Sequence, residues 1–534
     1  MPPPRFAWGR DHSIARAAGL AMAAGMFLRC EGEPPGSIPA WWGEGYVLSV
    51  AGGPAEPKPL DGAAAKPHPF MAPTVSNSMH ADAACSDVHT GGGPLAKDPV
   101  VTSRARGILG GECATIVFDD AGRLISLCAE SAGFEIVLLD PRTLEETASY
   151  ALPPRPSTME GILTLDLEKI VTDTSGGVYF YLDNEYRVVL GTSDRRILRI
   201  GLTEKKGKPA FFLEDEWDLS DLVPADCWSP MNRHPKGVCD AVTAVLPDWD
   251  GRIWWVTRYG RIGTLDPGTG RTSMLLLGEE QIQNGFAVAE DGVYVVSDRA
   301  LYGLRADGDT GAPQIVWREA YARGGARPGC ITQGSGTTPT LLGGGTVAIA
   351  DNDEPRINVL VYRRLPGVTG DRLVCKQPVF GNGQSATENS LVGWGRSVIA
   401  ENNYGYENFL SLLFGRASVG GIVRVDIDED GKGCHVAWRS DERSPSVVPK
   451  MSAGSGLLYV YTKEPQPWLI DAWYFTAIDF RTGETVFKIL AGTGWGYDNH
   501  WAPITLGPDG TAYAGVLNGI ISVRDAPSAP PKKP

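Results

Sequence analysis

The sequence predicts an all-β protein, a β-propeller read as eight four-stranded blades, with seven to nine compatible with the spacing. Three observations carry that prediction. A phrase of two short strands around a glycine turn recurs along the chain, its strands are β-branched and aromatic, and long amphipathic helical runs are nearly absent. The phrase is clearest over residues 385–403, SATENSLVGWGRSVIAENN. A polar cluster (Thr387, Glu388, Asn389) leads into an apolar strand, the chain turns at Gly393 to Gly395, and a second strand runs into Glu401, Asn402 and Asn403. A hairpin returns its end beside its start, so both polar clusters share one face.

Eight copies can be laid in phase, beginning near Glu112, Gly161, Asp240, Gln283, Thr337, Thr387, Val447 and His500. Their turns fall at Gly122, Gly177, Gly251, Gly292, Gly344, Gly395, Gly456 and Gly510, a spacing of about forty to sixty residues that suits four strands with variable loops. The last copy supplies only about three strands before residue 525. An open ring would leave strand edges exposed, so the missing strand is expected from the segment before Glu112. The organisation read from the chain is therefore an export segment over residues 1–30, a Pro- and Gly-rich wrap over 31–110, a propeller over 111–525 and a disordered tail over 526–534.

The 66 glycines, 40 prolines and 15 tryptophans suit tight turns with aromatic packing between sheets. A net charge of -14 with no basic cluster argues against nucleic acid or an anionic membrane as partner. Arg5, Arg10 and Arg16 precede an apolar run over residues 17–28, long enough for the core of a signal peptide and too short to span a bilayer. This predicts a periplasmic or extracellular protein. Arg29 stands where a lipid-modified Cys30 would require a small residue, which argues against a lipid anchor. The other eight cysteines permit disulfides, with Cys113 near Cys128 across one hairpin and Cys227 and Cys239 bracketing a loop. His68, Asn77, His80, Asp82, Asp87 and His89 make residues 68–97 polar, but their spacing matches no zinc pattern, and the segment reads as solvated or loosely packed.

A second phrase marks the outer halves of several copies: Leu139-Asp140-Pro141-Arg142-Thr143, Leu265-Asp266-Pro267-Gly268-Thr269-Gly270 and Ile478-Asp479-Phe480-Arg481-Thr482-Gly483. Asp and Thr can bond back to the turn backbone there. These phrases resemble the blade motif of PQQ-binding-like, quinoprotein-type propellers, in which a Thr-Gly turn leads into a docking tryptophan. The resemblance covers most of residues 111–525 as a repeat pattern and implies the propeller fold. In catalytic members it implies a quinone cofactor and oxidoreductase activity; the same superfamily contains non-catalytic scaffolds. Two departures argue against quinone here: no two cysteines are adjacent, and Phe487 stands where the docking tryptophan of the clearest copy would stand. The chain is also similar to a group of exported bacterial propellers of unassigned function, on the phrases GSGTTPTLL, SATENSL and APITLGPDGTAY, with Trp501 in place of a tyrosine before the last.

In a propeller the lead-ins and second-strand ends share one rim of the axial channel, where loops on a rigid scaffold carry function. The candidate ligand-binding residues are Glu112, Asp240, Asn284, Arg258, Asp298, Thr338, Lys463, Trp495, Asn499, His500 and Trp501; Asp183 and Asn184 are read onto the same rim. Asp351, Asn352, Asp353, Glu388, Asn389, Glu401 and Asn402 are the candidate metal ligands, expected to converge on one cation or hydroxylated ligand, because hard carboxylate and amide oxygens suit Ca²⁺. Propeller lactonases of the gluconolactonase type use the same residue types in a different motif order. Residues 404–419, with Phe409 to Phe414, and 464–473, with Trp468 and Trp473, are read as apolar loops roofing the channel. The acidic run Asp426 to Gly431 matches half of a calcium loop but lacks the closing carboxylate at Ala437, and reads as a hairpin turn. The chain has no G-x-S-x-G elbow, H-E-x-x-H helix or P-loop. The reading is an exported propeller binding a small organic ligand at its axial rim, as a quinoprotein-like oxidoreductase; the alternatives are a non-catalytic scaffold and a metal-assisted, lactonase-type hydrolase.

Overall fold

In the computed structural model, residues 36–527 are described apart from 41–44, 46, 63, 107–110, 131–132, 157, 159–160, 162–163, 165–172 and 225–239. Cys30, Cys227, Cys239, the export segment and the tail beyond 527 lie outside the described residues. Blades 1 to 6, at residues 113–151, 181–218, 242–276, 287–320, 340–378 and 392–440, are antiparallel sheets of four consecutive strands. The middle strands face a neighbouring blade on both sides and are buried throughout, as in Ile253–Thr257 (IWWVT), whereas outer strands such as Glu146–Ala151 keep an exposed alternation. Eight such sheets make the chain a β-propeller.

Seven of the eight turns lie where the sequence places them, with Gly122, Gly251, Gly292, Gly344, Gly395, Gly456 and Gly510 at positive φ. Blade 2 is phased differently. Gly177 precedes its first strand, Tyr181–Leu182, and the turn into Val188–Gly191 spans residues 183–187 with Tyr186 at φ 61. Asp183 holds it: one carboxylate oxygen accepts from Glu185 N and Arg187 N at 3.0 Å each, the other from Arg187 Nε at 2.8 Å. The same D-x-x-x-R phrase closes the turns at Asp119 and Asp248. Asp183 and Asn184 therefore lie on the rim opposite the one expected, because a side-chain cap replaced the turn glycine that set the phase.

The outer turns follow from Asp and Thr chemistry. Asp140 accepts from Arg142 N and Thr143 N at 2.8 Å, and Asp266, Asp307 and Asp479 accept from their turns in the same way. Trp438 on the outer strand of blade 6 donates its indole N–H to the Phe480 carbonyl of blade 7 at 2.8 Å, and Trp317 of blade 4 to Arg364 of blade 5 at 3.1 Å. A Cβ at Gly483 would come within 2.6 Å of the Trp438 ring, so this turn needs glycine both for space and for its φ of 76. Cys113 and Cys128 form a disulfide across the first hairpin, and Cys375–Cys434 joins the outer strands of blades 5 and 6. The acidic run at Asp428 is a hairpin turn between Ile422–Ile427 and Cys434–Ser440, with its carboxylate on His435 at 2.7 Å.

The N-terminal segment enters three sheets or their edges. Val50–Gly52 adds an outer strand to blade 7, pairing with Thr485–Thr493. Pro99–Ala105 pairs antiparallel with Gly519–Asp525 and gives blade 8 its fourth strand, so both ends of the propeller chain share a sheet. Between them, residues 68–93 thread the axial channel. Phe118, Leu182, Val288, Leu341, Gly393 and Met451, each on or beside an inner strand, donate backbone N–H groups to the carbonyls of Ser76, Asn77, Ala83, Ala84, Ser86 and Asp87. Val88–His89 also pairs in parallel with Lys450–Ser452 of blade 7. The plug thus fills edge hydrogen bonds that the inner strands of six of the eight blades would otherwise leave open.

This corrects the reading of residues 68–97 as solvated. His68, His80, Asp87 and His89 are buried, and burial pushes His68 and His89 down to about 4, keeping them neutral. Among the described residues no helix is long and apolar enough to cross a membrane.

Candidate functional site

The hairpin geometry brings Asn389 and Glu401 together, as their positions at the two ends of one hairpin require, whereas the Glu388 carboxylate turns toward Ile331 and Gly336 in the lead-in of the preceding blade. Asn389 Nδ2 donates to Glu401 at 2.6 Å and to the Val447 carbonyl at 2.6 Å. Glu388 accepts from Ile331 N at 2.9 Å, near the positive charge of Arg258. Asn284 stands beside it with its amide on the Gly336 carbonyl. Burial pushes the Glu388 carboxyl up to about 7 and Glu401 up to about 8, the latter helped by the negative charge of Asp87. Both carboxyls carry a proton for a large part of the time near neutrality.

Just beyond this pair lies a buried network that the plug supplies. Asp87 Oδ2 accepts from Ser390 Oγ at 2.6 Å and faces His80 Nδ1 at 3.0 Å, while Asp87 Oδ1 accepts from Lys450 Nζ at 2.5 Å. Burial drives the Asp87 carboxyl up, but Lys450 and His80 more than offset it and hold the group below its usual range. Ser390, His80 and Asp87 are the residue types of a hydrolase triad, but the hydroxyl and the carboxylate both lie 3.0 Å from the same ring nitrogen, Nδ1. A relay needs them on opposite nitrogens, so the trio braces the plug. Beside His80 remains a cavity of about 20 Å³ lined by Ser78, Cys85, Tyr179, Gly285 and Phe286 among others. Among the described residues, Glu388 Oε1, Glu401 Oε1, Asn389 Oδ1 and His80 Nε2 have no hydrogen-bond partner.

A second buried group lies where blades 7, 8 and 1 meet. Glu112 accepts from His500 N at 2.7 Å, Tyr406 Oη lies 2.9 Å from His500 Nδ1, and the Tyr406 and Trp501 rings meet edge to face at 5.3 Å. Lys463 Nζ binds Asp471 at 2.6 Å over the Trp473 ring, and burial pulls its ammonium down against the attraction of Asp471. Burial raises Glu112 and Asp498 well above the usual carboxylate range. Asn499 donates to the Ala502 and Gly515 carbonyls at 2.9 and 2.8 Å, and Trp495 is buried beside it.

Most of the remaining sequence candidates serve their own blades, and Thr338 reaches across to Tyr179. Asp240 takes Thr257 at 2.5 Å and Arg261 at 2.7 Å; Asp298 takes Gln281 N at 2.8 Å and Arg323 at 3.0 Å. Thr338 bonds the Tyr179 hydroxyl. Asp351, raised by burial to about 6, is bound by Asn358 N and Nδ2 at 2.7 Å, Asn352 donates to the Gln333 carbonyl, and Asp353 pairs with Lys376. Asn402 bonds the Gln384 and Gly420 carbonyls. Asp351 to Asp353 thus keep partners separate from those of Glu388 and Glu401, because each blade directs its second-strand end into its own loop. Sequence reasoning missed Ser390, Lys450, Tyr406 and Asp498. Lys450 alone carried a signal, a lysine at the head of an apolar inner strand.

No protein-family model matches the chain. Over 319 residues it is 27% identical to an uncharacterized protein of Archaeoglobus fulgidus, a span of 54% of this chain and 61% of that protein's own length. Among solved structures it is similar to Sqt1 from Chaetomium thermophilum, with TM-score 0.46, 12% identity, and 78% and 97% of the two chains covered. It is also similar to a catalytically inactive virginiamycin B lyase from Staphylococcus aureus, with TM-score 0.39, 10% identity and 80% and 100% covered. The WD40 repeats of RRP9 give TM-score 0.37, 9% identity and 75% and 99% covered. These likenesses concern the propeller fold.

Residues 68–93 occupy the axial channel through backbone pairing with the inner strands. Among the described residues no group of three or more His, Cys, Asp or Glu side chains is placed to hold a metal ion.

Proposed function

We propose that the protein is an exported, non-catalytic propeller that acts as a binding scaffold. The observation that carries this reading is the plug: the channel where an axial ligand would enter is threaded by the chain's own residues 68–93. The cavity left beside His80, about 20 Å³, has room for a water, against the ~300–1,000 Å³ of a cofactor or small-molecule site. A quinoprotein-like oxidoreductase and a metal-assisted hydrolase both need a reachable axial site, and the plug weighs against each. The two disulfides among the described residues support export, since such bonds persist in oxidising compartments. The test is spectroscopy and elemental analysis of purified full-length protein. A scaffold carries neither near-ultraviolet quinone absorbance nor stoichiometric calcium; finding either overturns the reading.

One observation favours a second reading, a small hydroxylated ligand or Ca²⁺ at the rim. Glu401 buries an oxygen with no partner among the described residues, on the carboxylate that takes the amide of Asn389, whose own Oδ1 is equally unpartnered, and Glu388 buries another. Such atoms are ordinarily satisfied by water or ligand. Titration calorimetry with calcium and with simple polyols distinguishes the readings: saturable heat that Glu388→Gln with Glu401→Gln abolishes supports the ligand site.

A further inference from the structure

The network that braces the plug leaves one ring nitrogen over. His80 gives its Nδ1 edge to Asp87 Oδ2 and Ser390 Oγ, each at 3.0 Å. Its Nε2, in a residue only 4% exposed, has no hydrogen-bond partner among the described residues. A buried ring nitrogen left bare costs free energy, which calls for a compensating ligand. A carboxylate on Nδ1 also fixes the ring and makes the opposite nitrogen more basic, the arrangement by which proteins commonly orient a histidine that ligates a metal.

The same imidazole lines the cavity of about 20 Å³, together with Met79 and Cys85. Because Nδ1 is turned to Asp87 and Ser390, the ring edge left for the cavity is the one that carries Nε2. Cys85 is a buried free thiol, and its Sγ lies 3.4 Å from the carbonyl of Phe286, another wall of the cavity. Its backbone is held at φ 53, a left-handed conformation that persists for a cysteine only where the surroundings impose it. Burial, then the charges of Asp82 and Asp87, push the thiol well above its usual range, so the bare group keeps its proton. A space of this size admits a water or a single ion and no organic ligand. Residues 79–85 of the plug thus bring a thioether residue, an imidazole and a thiol to one ion-sized cavity.

We propose that this cavity is a binding site for a soft monovalent metal ion, Cu(I), held by His80 Nε2 and Cys85 Sγ with the Met79 thioether as third donor. Softness selects the ion. Thiolate and thioether sulfur beside one imidazole suit Cu(I), whereas Ca²⁺ takes oxygen ligands and structural Zn²⁺ takes four ligands drawn from Cys, His and carboxylates. Only two of the donors here are His or Cys, so the set differs from the clusters of three such side chains that hold harder metals. Charge selects the same ion. As the Cu–S bond forms, the Cys85 thiol gives up its proton to solvent, so one positive charge replaces another and the buried site keeps its net charge. A divalent ion would add a positive charge that nothing in the cavity offsets. The inference is independent of the scaffold reading, whose test is quinone and calcium content.

The test is the copper content of the full chain after competition with a colorimetric Cu(I) chelator, for protein produced in copper-supplemented medium and for protein titrated anaerobically with Cu(I). Wild type retains one Cu(I) per chain and melts at a higher temperature when loaded, since the ion binds only the folded plug. Cys330→Ser, which removes the other free thiol among the described residues, behaves as wild type. Cys85→Ser loses the ion, and His80→Gln weakens its retention by about tenfold or more, the scale on which even outer-shell partners of a metal act. Met79→Leu keeps the volume of the wall and hence the fold, as a melt of the metal-free variant matching wild type shows, yet also weakens retention. X-ray absorption at the copper edge of loaded wild type reads mixed nitrogen and sulfur ligation. A wild type that holds no copper by either route, copper that Cys85→Ser and Met79→Leu leave in place, or retention of Zn²⁺ in preference to Cu(I) overturns the proposal.

Discussion

Replacing Glu388 and Glu401 with glutamine together should stabilise the protein at alkaline pH. In the unfolded chain each carboxyl titrates near 4.5, whereas in the folded channel burial moves Glu388 to about 7 and Glu401 to about 8. Between those values the folded state binds more protons than the unfolded state, so stability falls as pH rises from about 4.5 through 8. At ~1.4 kcal/mol per pKa unit, the penalty approaches about 3 kcal/mol for Glu388 and about 4 for Glu401 by pH 8, as order-of-magnitude figures. Glutamine has the shape of the protonated acid and no charge to desolvate, so the double variant escapes most of that penalty. The assay is thermal unfolding of wild type and variant at pH 5 and pH 8. The variant should melt several degrees higher at pH 8, and the gap should close toward pH 5. A variant that melts lower than wild type at pH 8 refutes the reasoning, because the carboxylates would then be ionised and compensated by a bound cation or ligand.

Other outcomes follow from the same structure. Lys450→Met leaves Asp87 buried with only His80 and Ser390, since the two side chains are 1% and 0% exposed; the cost should be about 3–5 kcal/mol, read from chemical denaturation midpoints. Gly483→Val should destabilise blades 6 and 7, since Trp438 lies 2.6 Å from the new Cβ and φ is 76; a melt unchanged from wild type would show the turn can relax. Deleting residues 60–111 removes the plug and the closing strand and should yield an aggregating or unfolded product, assayed by solubility and circular dichroism.

The fold was legible in the sequence because the blade phrase is local: a polar lead-in, a strand, a turn glycine and a second strand are neighbours along the chain. The pairing of Asn389 with Glu401 was legible for the same reason. Blade 2 escaped because Asp183 replaced glycine chemistry with a side-chain cap. The plug escaped for a deeper reason. Its partners are backbone N–H groups on inner strands from Phe118 to Met451, and backbone pairing leaves no periodic trace in side-chain identity. His80 and Asp87 drew notice as polar residues, but nothing local to them points to Lys450 or Ser390.

The N-terminal segment links closure of the ring to filling of its axis. Pro99–Ala105 cannot pair with Gly519–Asp525 until the last blade exists, and residues 68–93 bond inner strands from blade 1 to blade 7, so both complete their pairing only through long-range contacts. A plug inserted after closure would have to carry buried Asp87 down a finished channel to Lys450. A plug laid in first lets each blade add its inner edge to a waiting carbonyl, Ser76 and Asn77 for blades 1 and 2, Ala83 and Ala84 for blades 4 and 5, Ser86 and Asp87 for blades 6 and 7. That order matches the order of carbonyls along the segment with the order of blades around the axis. This match predicts that the segment acts as a template for the ring. On this argument the Asp87–Lys450 pair, fully buried and near the end of the template, is formed late, and Lys450→Met should speed unfolding more than it slows folding.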